Sequence, residues 1–239
     1  MQALEKKPEV LISGKTSFKL EVPYKLVETG RKNGKKPLIL YLHGFGDHLK
    51  SFEARCDSML TLNAFHLFIQ GPYPLYSRSR SKPVSEWGRA WYLYDGNKQQ
   101  FIKSLEISAE ILQEVVDNLI KLIDVSRICI FGYSMGGYLA GYFALTRWKH
   151  ITDLIVINAR IKTEIVNQSS WTNLKHLNVL ALHGIRDDKV NVEPQQKAVD
   201  HLQKNGISSK IELLDTGHGL DDIYFKKSKD WLIEKGYKS

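Results

Sequence analysis

Five short apolar segments constrain the fold of this chain more than any other feature of its sequence. Each is nearly continuous in hydrophobic residues and ends at Gly, Asn or Pro. They are LILYLHG (38–44), HLFIQGP (66–72), RICIFG (127–132), DLIVINA (153–159) and NVLALHG (178–184). Continuous hydrophobicity, in place of alternating apolar and polar residues, is typical of strands buried on both faces. The segments therefore predict a parallel sheet covered by helices.

Patterns of helical period lie between these segments. They cover 51–62, 101–123, 193–205 and 222–236, with a further helix directly after Ser134 and an early, imperfectly alternating strand at 18–27. Strands and helices in this order predict a doubly wound α/β fold, with a mostly parallel central sheet and helices on both faces. Because no internal repeat or linker interrupts the chain, we expect residues 1–239 to form a single domain.

The composition fits a globular protein. Of 239 residues, 43% are hydrophobic, which is ample material for a core. The segment MQALEKKPEV (1–10) has charges but no apolar run, so a signal peptide is not indicated, and no stretch approaches the roughly 18 apolar residues of a membrane span. Cys56 and Cys129 lie in unrelated patterns and are interpreted as buried thiols. Together these features favour a reducing, cytoplasmic location.

The chain carries a formal net charge of +8, which is compatible with nucleic acid or an anionic surface as a partner. Its lysines are spread out, however, with small groups at 31–36 (RKNGKK) and 225–229 (FKKSK). We find no zinc-ligand spacing, no RNA-recognition signature and no basic helix interleaved with aromatic residues. We therefore interpret the charge as a solvated basic surface and expect no nucleic-acid partner.

One long segment, PYPLYSRSRSKPVSEWGRAWYLYDGNKQQ (72–100), has no clear period. A loop of this length inside a compact domain is usually functional. It would follow the carboxyl end of a strand, which is where ligands bind in open α/β sheets. We expect a lid-like or pocket-lining loop at about 73–100, the alternative being an exposed variable insertion.

The segment FGYSMGG (131–137) places Ser134 in the spacing Gly-x-Ser-x-Gly. A chain of this size has a chance on the order of one in ten of showing that spacing. Here it follows the apolar strand RICIF and precedes a helix with small residues, which is the context of a nucleophile elbow. Side chains at Gly132 or Gly136 would collide with the adjoining strand or helix. We predict that Ser134 is a nucleophile.

A serine nucleophile needs a base, and the base needs an orienting carboxylate. In elbow enzymes the chain order is Ser, then acid, then His. Asp187 and Asp188 follow a strand end in LHGIRDDKV and are the candidate acids. His201 lies within a predicted helix, where a solvated or packed histidine is the ordinary interpretation. His218, between glycines after the strand-like KIELL, is the predicted base.

An oxyanion hole needs two backbone N–H groups directed at one point. Met135, the residue after the nucleophile, is expected to supply one of them. The glycine-rich turn in YLHGFGD (41–47) follows an early strand, and the N–H of Phe45 is the predicted second donor. His43 precedes the elbow and abuts a strand, so we expect it to orient this turn by hydrogen bonds.

Four ordered segments, LHGFGD, GYSMGG, HGIRDDKV and GHG, resemble the α/β-hydrolase superfamily, and most of all its phospholipase/carboxylesterase group, which includes acyl-protein thioesterases. The resemblance runs from about residue 37 to residue 235. In that group the acid segment reads His-Gly-x-x-Asp-x-x-Val, which implies Asp187 rather than Asp188. RAWY (89–92) resembles the group's Ala-Trp-Tyr/Phe segment near the acyl pocket, which implies a substrate-pocket role for Trp91.

Two departures from the thioesterase pattern bear on the substrate. Met135 stands where the thioesterases usually have Gln, and ARIKTEI follows LIVIN where they have a turn containing Ser-Gly. Both changes leave the predicted triad intact.

The residues together predict a serine hydrolase that cleaves small-molecule carboxylic esters through an acyl-enzyme. Short acyl or aryl esters are the first expected substrates and thioesters the second; no metal or organic cofactor is implied. One alternative is a prolyl-oligopeptidase-like serine peptidase, against which the short chain without a propeller domain counts. Another is a non-catalytic binding protein of the same fold, against which the complete Ser/Asp/His set counts.

Overall fold

The computed structural model describes residues 12–14, 16, 20–32, 34–77, 81–147 and 149–239. Three predictions fall wholly or partly elsewhere. The segment at 1–10, residues 18 and 19 of the expected early strand, and residues 78–80 of the long loop lie outside the described residues.

Strands and helices alternate along the described chain. The strands are β1 (Tyr24–Glu28), β2 (Lys36–Leu42), β3 (Phe65–Ile69), β4 (Tyr73–Pro74), β5 (Arg89–Ala90), β6 (Val125–Tyr133), β7 (Asp153–Ile157), β8 (Asn178–Gly184) and β9 (Ser208–Leu214). The α-helices are α1 (Leu49–Arg55), α2 (Lys98–Leu119), α3 (Met135–Thr146), α4 (Val192–Lys204) and α5 (Asp222–Glu234). Short 3₁₀ helices cover Asp57–Thr61, Val84–Glu86, Thr163–Ile165 and Gln168–Leu174.

Seven of the described strands form one sheet in the order β1-β3-β2-β6-β7-β8-β9. β1 is antiparallel to β3, and every other neighbouring pair is parallel. β4 and β5 form a separate antiparallel pair within the long loop. The mostly parallel central sheet predicted from the apolar segments is confirmed.

Alternate residues of the strands enter two cores on opposite faces of the sheet. In β2, Leu38, Leu40 and Leu42 pack in the core that contains α2 and α3, whereas Ile39 and Tyr41 pack in the core that contains α1 and α5. All five side chains are at most 1% exposed. Burial on both faces is the physical reason for the continuous apolar segments.

α2 shows how one of the covering helices is specified. Asn97 caps it by accepting the N–H groups of Gln99 and Gln100 at 3.0 and 3.1 Å. Its buried residues recur every three or four positions, which directs one face of the helix at the sheet. They are Phe101, Ser104, Leu105, Ser108, Ala109, Leu112, Val116 and Leu119.

Some element boundaries differ from the sequence prediction. The helix expected at 51–62 is divided into α1 and the 3₁₀ helix Asp57–Thr61, because Cys56 leaves the helical conformation between them. The strand expected at 18–27 is observed as β1, Tyr24–Glu28. Cys56 and Cys129 are buried and unpaired, as interpreted from the sequence.

Candidate active site

The turn between β6 and α3 holds Ser134 in a strained conformation. Its φ is +50°, a region that non-glycine residues adopt rarely. The Ser134 N–H donates to the carbonyl oxygen of Ile157 at 2.9 Å, and the Ser134 carbonyl accepts from Gly137 at 2.8 Å. A Cβ on Gly132 would overlap the carbonyl oxygen of Gly136, so the two glycines let strand and helix approach closely enough to form the turn.

The structure brings the three predicted triad residues together. Ser134 Oγ lies 2.9 Å from His218 Nε2, and His218 Nδ1 lies 2.8 Å and 3.0 Å from the two carboxylate oxygens of Asp187. The Asp187 side chain is 1% exposed, whereas that of His218 is 21% exposed. The arrangement therefore leads from a buried carboxylate through an imidazole to a serine hydroxyl.

Asp187 is held by its own loop. Its Oδ1 accepts the N–H groups of Lys189 and Val190, both at 2.9 Å. Asp188 faces solvent instead, with a side chain that is 71% exposed and paired with the Lys189 ammonium at 3.0 Å. The structure thus directs Asp187, and not Asp188, at His218.

His183 approaches the same carboxylate from β8. Its Nε2 lies 3.6 Å from Asp187 Oδ2 and donates to the carbonyl oxygen of Val190 at 2.9 Å. Burial lowers the pKa of His183 below its ordinary value. His218, at 2.8 Å from Asp187 Oδ2, is therefore the imidazole that hydrogen-bonds to the carboxylate, and His183 lies beyond that distance.

His43 organises the turn that contains Phe45. Because the Gly71 N–H donates to His43 Nε2 at 3.0 Å, the ring proton lies on Nδ1, which donates to the Gly44 carbonyl at 2.7 Å. Burial lowers the pKa of His43 to about 4, so the ring is neutral near pH 7. These contacts are those of a residue that orients the turn.

Phe45 and Met135 both line the cleft that opens at Ser134. Within the described part of the chain, neither backbone N–H has a hydrogen-bond acceptor. Met135 is also the first residue of α3, where the N–H groups of a helix have no partner within the helix. Both N–H groups are therefore available as donors in the cleft that contains the Ser134 hydroxyl, as an oxyanion hole requires.

A cleft of about 580 Å³ opens at Ser134. Its lining is mainly apolar and aromatic, and comprises Phe45, Tyr73, Pro74, Leu75, Ala90, Tyr92, Leu93, Tyr94, Ser134, Met135 and Tyr138. The long loop supplies residues 73–75, 90 and 92–94 of this lining, which we call the aromatic wall. Of the residues that the structure describes, those lining the cleft include no charged side chain.

Trp91 requires a correction. Its side chain is fully buried, and its indole N–H donates to the carbonyl oxygen of His43 at 2.8 Å. A buried indole needs such an acceptor, and the turn at His43 provides it behind the aromatic wall. Ala90 and Tyr92 line the cleft instead, and Trp91 supports them and the turn from the core.

A second cavity, of about 770 Å³, lies between α1 and α5. Its lining includes Arg55, Asp57, Lys229 and Asp230 but no residue of the triad. Cavity volume alone therefore does not identify the candidate site. The convergence of Ser134, His218 and Asp187 does.

Sequence reasoning missed two residues that support the His218 loop. The Tyr133 hydroxyl donates to the carbonyl oxygen of His218 at 2.7 Å, and burial raises the pKa of Tyr133 to about 12, which keeps the phenol protonated. The Asn158 side-chain amide donates to the same oxygen at 3.0 Å. Asn158 ends the apolar segment LIVIN, which gives no sign of this role in the sequence. In the structure it is marked by a φ of +48°, which among the described non-glycine residues only Ser134 shares in sign.

Within the described part of the chain, no group of three or more His, Cys, Asp and Glu side chains is placed to hold a metal ion. None of its helices is both long enough and apolar enough to cross a membrane.

The sheet order, the elbow and the Ser-His-Asp geometry define an α/β-hydrolase fold. A profile of the Phospholipase/Carboxylesterase family matches residues 23–233. The chain therefore belongs to the phospholipase/carboxylesterase family and is an esterase-type hydrolase.

Individual relatives are distant in sequence. Acyl-protein thioesterase 1 homolog 2 of Dictyostelium discoideum is 23% identical over 218 residues, which cover 88% of this chain and 97% of that protein. The Zea mays acyl-protein thioesterase 2 structure superposes with a TM-score of 0.68 at 20% identity, covering 89% of this chain and 98% of its own. The Bacillus cereus carboxylesterase structure gives 0.72 at 17% identity, covering 89% and 94%.

Proposed function

We propose that this protein is a serine hydrolase that cleaves carboxylic esters through an acyl-enzyme. The observation that carries the proposal is the continuous hydrogen-bonded series from Ser134 Oγ through His218 to Asp187, with donor-acceptor distances of 2.9 and 2.8 Å. A serine hydroxyl in that arrangement has a base to take its proton and a carboxylate to hold the base in one tautomer.

In the acylation step Ser134 Oγ attacks the ester carbonyl and His218 Nε2 takes the hydroxyl proton. The Nδ1–H of His218 donates to Asp187, which stabilises the imidazolium. The N–H groups of Phe45 and Met135 donate to the oxyanion of the tetrahedral intermediate. His218 then gives its proton to the leaving alcohol as the acyl-enzyme forms, and a water activated by the same imidazole releases the acid.

The lining of the cleft suits a substrate that is recognised through a neutral acyl or aryl group. Its aromatic wall and the ring of Tyr138 offer apolar contact, and about 580 Å³ is enough for a short or medium acyl chain or one aromatic ring. Short acyl and aryl esters are therefore the first proposed substrates. Thioesters are included because one relative is named an acyl-protein thioesterase.

The test compares Ser134→Ala with wild type on p-nitrophenyl butyrate, with Ser169→Ala, an exposed serine elsewhere, as the matched control. We expect Ser134→Ala to lose at least about 10⁴-fold in kcat with an unchanged melting temperature, and Ser169→Ala to behave as wild type. A fluorophosphonate should add its mass to Ser134 in wild type. Hydrolysis by folded Ser134→Ala at near wild-type rates would exclude the nucleophile assignment.

A panel of esters, thioesters and prolyl anilides then separates the substrate classes. Higher kcat/KM on butyrate esters than on the anilides supports the proposed esterase, and the reverse order supports the prolyl-peptidase alternative. Absence of turnover on every class, with a folded protein, would favour the binding-protein alternative.

A further inference from the structure

Asn158 occupies an unusual position at the carboxyl end of β7. It is fully buried, its φ is +48°, and its N–H donates to the carbonyl oxygen of Leu182 at 3.0 Å. Among the described residues, Ser134 is the other non-glycine residue with a positive φ. Such strain persists where surrounding contacts impose it, and it concentrates at functional sites.

The donor side of the Asn158 amide holds the loop that carries His218. Nδ2 lies 3.0 Å from the carbonyl oxygen of His218, 3.3 Å from that of Gly217 and 3.5 Å from that of Gly219. The loop backbone is therefore fixed at the catalytic histidine itself and at both of its neighbours.

The acceptor side of the same amide holds the strand that leads to Asp187. Oδ1 accepts the Gly184 N–H at 2.9 Å and the Tyr224 hydroxyl at 3.0 Å. Gly184 is the last residue of β8, three positions before Asp187. Because carbonyls surround one end of the amide and donors the other, the orientation of the side chain is determined.

The nucleophile is attached to the same turn. The carbonyl oxygen of Ile157, directly before Asn158, accepts the Ser134 N–H at 2.9 Å. Residues 157 and 158 thus contact the chain at Ser134, at His218 and at Gly184, three positions before Asp187, although they supply no triad residue.

We propose that Asn158 is a positioning residue for hydrolysis, which fixes the His218 loop relative to Asp187 and Ser134. The inference rests on the proposed serine-hydrolase function. Among the described hydrogen bonds, the Asn158 side chain makes none to Ser134 Oγ or to the imidazole ring, and it acts through the backbone at 217–219 and at Gly184.

Two variants separate the amide from the backbone conformation. Asn158→Gly accepts a positive φ without strain and removes the whole side chain. Asn158→Asp keeps the shape and the acceptor for Gly184 but has no donor for the loop carbonyls. We expect each to lower kcat on the order of 10- to 100-fold with KM within about twofold, because a displacement of about 1 Å at a reacting group has this effect.

Thr152→Val is the matched control at the opposite end of β7. The Thr152 hydroxyl lies 3.0 Å from the carbonyl oxygen of Ile128 and 3.0 Å from Asp153 Oδ2, at the end of the strand away from the triad. We expect this variant to lower the melting temperature while kcat and KM stay at wild-type values. This control therefore shows how far kcat and KM change when hydrogen bonds of a partly buried side chain are lost and the fold is only destabilised.

The experiment measures kcat and KM on p-nitrophenyl butyrate, the rate of fluorophosphonate labelling and the melting temperature, with wild type and Ser134→Ala in parallel. Support requires a fall in kcat and in labelling rate in at least one folded Asn158 variant. Wild-type kcat in a folded Asn158→Gly or Asn158→Asp, a loss that matches the unfolded fraction, or failure of both variants to fold would overturn the positioning role.

Failure of the underlying function is distinguishable from these outcomes. If Ser134→Ala hydrolyses the ester as fast as wild type, or wild type hydrolyses nothing, the serine-hydrolase proposal fails and the positioning role fails with it. If Ser134→Ala is inactive and the Asn158 variants are unaffected, only the positioning role fails.

Discussion

The two sides of the cleft differ in how firmly they are held. On the triad side, Asp187 is 1% exposed and His218 is fixed through its ring and its carbonyl oxygen. On the other side, the aromatic wall includes Tyr94, which is 65% exposed, and Leu93, which is 51% exposed. The candidate triad is thus held by hydrogen bonds, whereas the side chains that would contact the proposed acyl group are largely exposed.

The largest expected effect concerns the buried end of the triad. Asp187→Asn should lower kcat by about 10⁴-fold, because the amide no longer holds His218 in the tautomer that accepts the serine proton. Its Oδ1 still accepts from Lys189 and Val190, so the loop should keep its conformation. Ester hydrolysis under saturating substrate measures the change.

Asp188→Asn is the matched control for that variant. Asp188 is exposed and paired with Lys189, so its loss should leave kcat within about twofold. A larger loss in Asp188→Asn than in Asp187→Asn would reverse the assignment of the acid and remove the contrast between a buried and an exposed carboxylate.

Acid should lower the free energy of unfolding through two buried histidines, His43 and His66, which lie outside the exposed wall. Burial lowers the pKa of His43 and of His66 to about 4, so both are neutral in the folded protein where the unfolded chain is protonated. The free energy of unfolding should therefore be full above about pH 6.5 and fall as the pH drops towards 4. At pH 5 each histidine should account for about 2 kcal/mol of the loss.

Urea unfolding at pH 7.5 and pH 5 measures this dependence. His66→Gln should reduce the difference between the two pH values, and Ser169→Ala, at an exposed position without a titratable group, should leave it unchanged. Equal free energies of unfolding at both pH values in wild type would show that these histidines are not buried in the neutral form.

Met135 connects the two sides, and its replacement should have a smaller effect. Its sulfur accepts the backbone N–H of Trp91 at 3.3 Å, so Met135→Leu keeps the volume and leaves that backbone N–H without its acceptor. We expect a loss of about 1 kcal/mol in the free energy of unfolding, with kcat on a short ester within about threefold. A kcat loss above about 100-fold would indicate that the side chain, and not only the backbone N–H, acts in the reaction.

The smallest expected effect concerns the exposed wall. Tyr94→Ala should raise KM for longer acyl and aryl esters about threefold with little change in kcat, because it removes apolar contact made equally before and during reaction. Tyr76→Ala is the control, since Tyr76 is equally exposed, packs on Trp87 and is not part of the cleft lining. Equal effects of both variants would mean that the wall does not select substrates.

The strands of the sheet were predictable from the sequence because burial on both faces produces continuous runs of hydrophobic residues. The segment 178–184 was predicted with the bounds of β8, and the other four parallel segments differ by one to three residues at their ends. The antiparallel direction of β1 was not predicted, since hydrophobic period carries no information on strand direction.

The site was predictable where local constraints act and not where distant chain segments meet. The elbow at Ser134 follows from its glycines and flanking elements, and His218 from chain order. Trp91 was misplaced because a short motif does not reveal which side of a wall an indole faces. Asn158 was missed as a support because its partners, at 184 and 217–219, are 26 to 61 residues away.

The aromatic wall lies on a stretch of chain that carries no triad residue. It enters at Gly71, anchored by His43, and leaves at Asn97, which caps α2. In the proposed esterase, the side chains that would contact the acyl group are therefore separate in sequence from β6, β8 and β9. Substitutions in the wall would change the acyl preference and leave the proposed reaction in place.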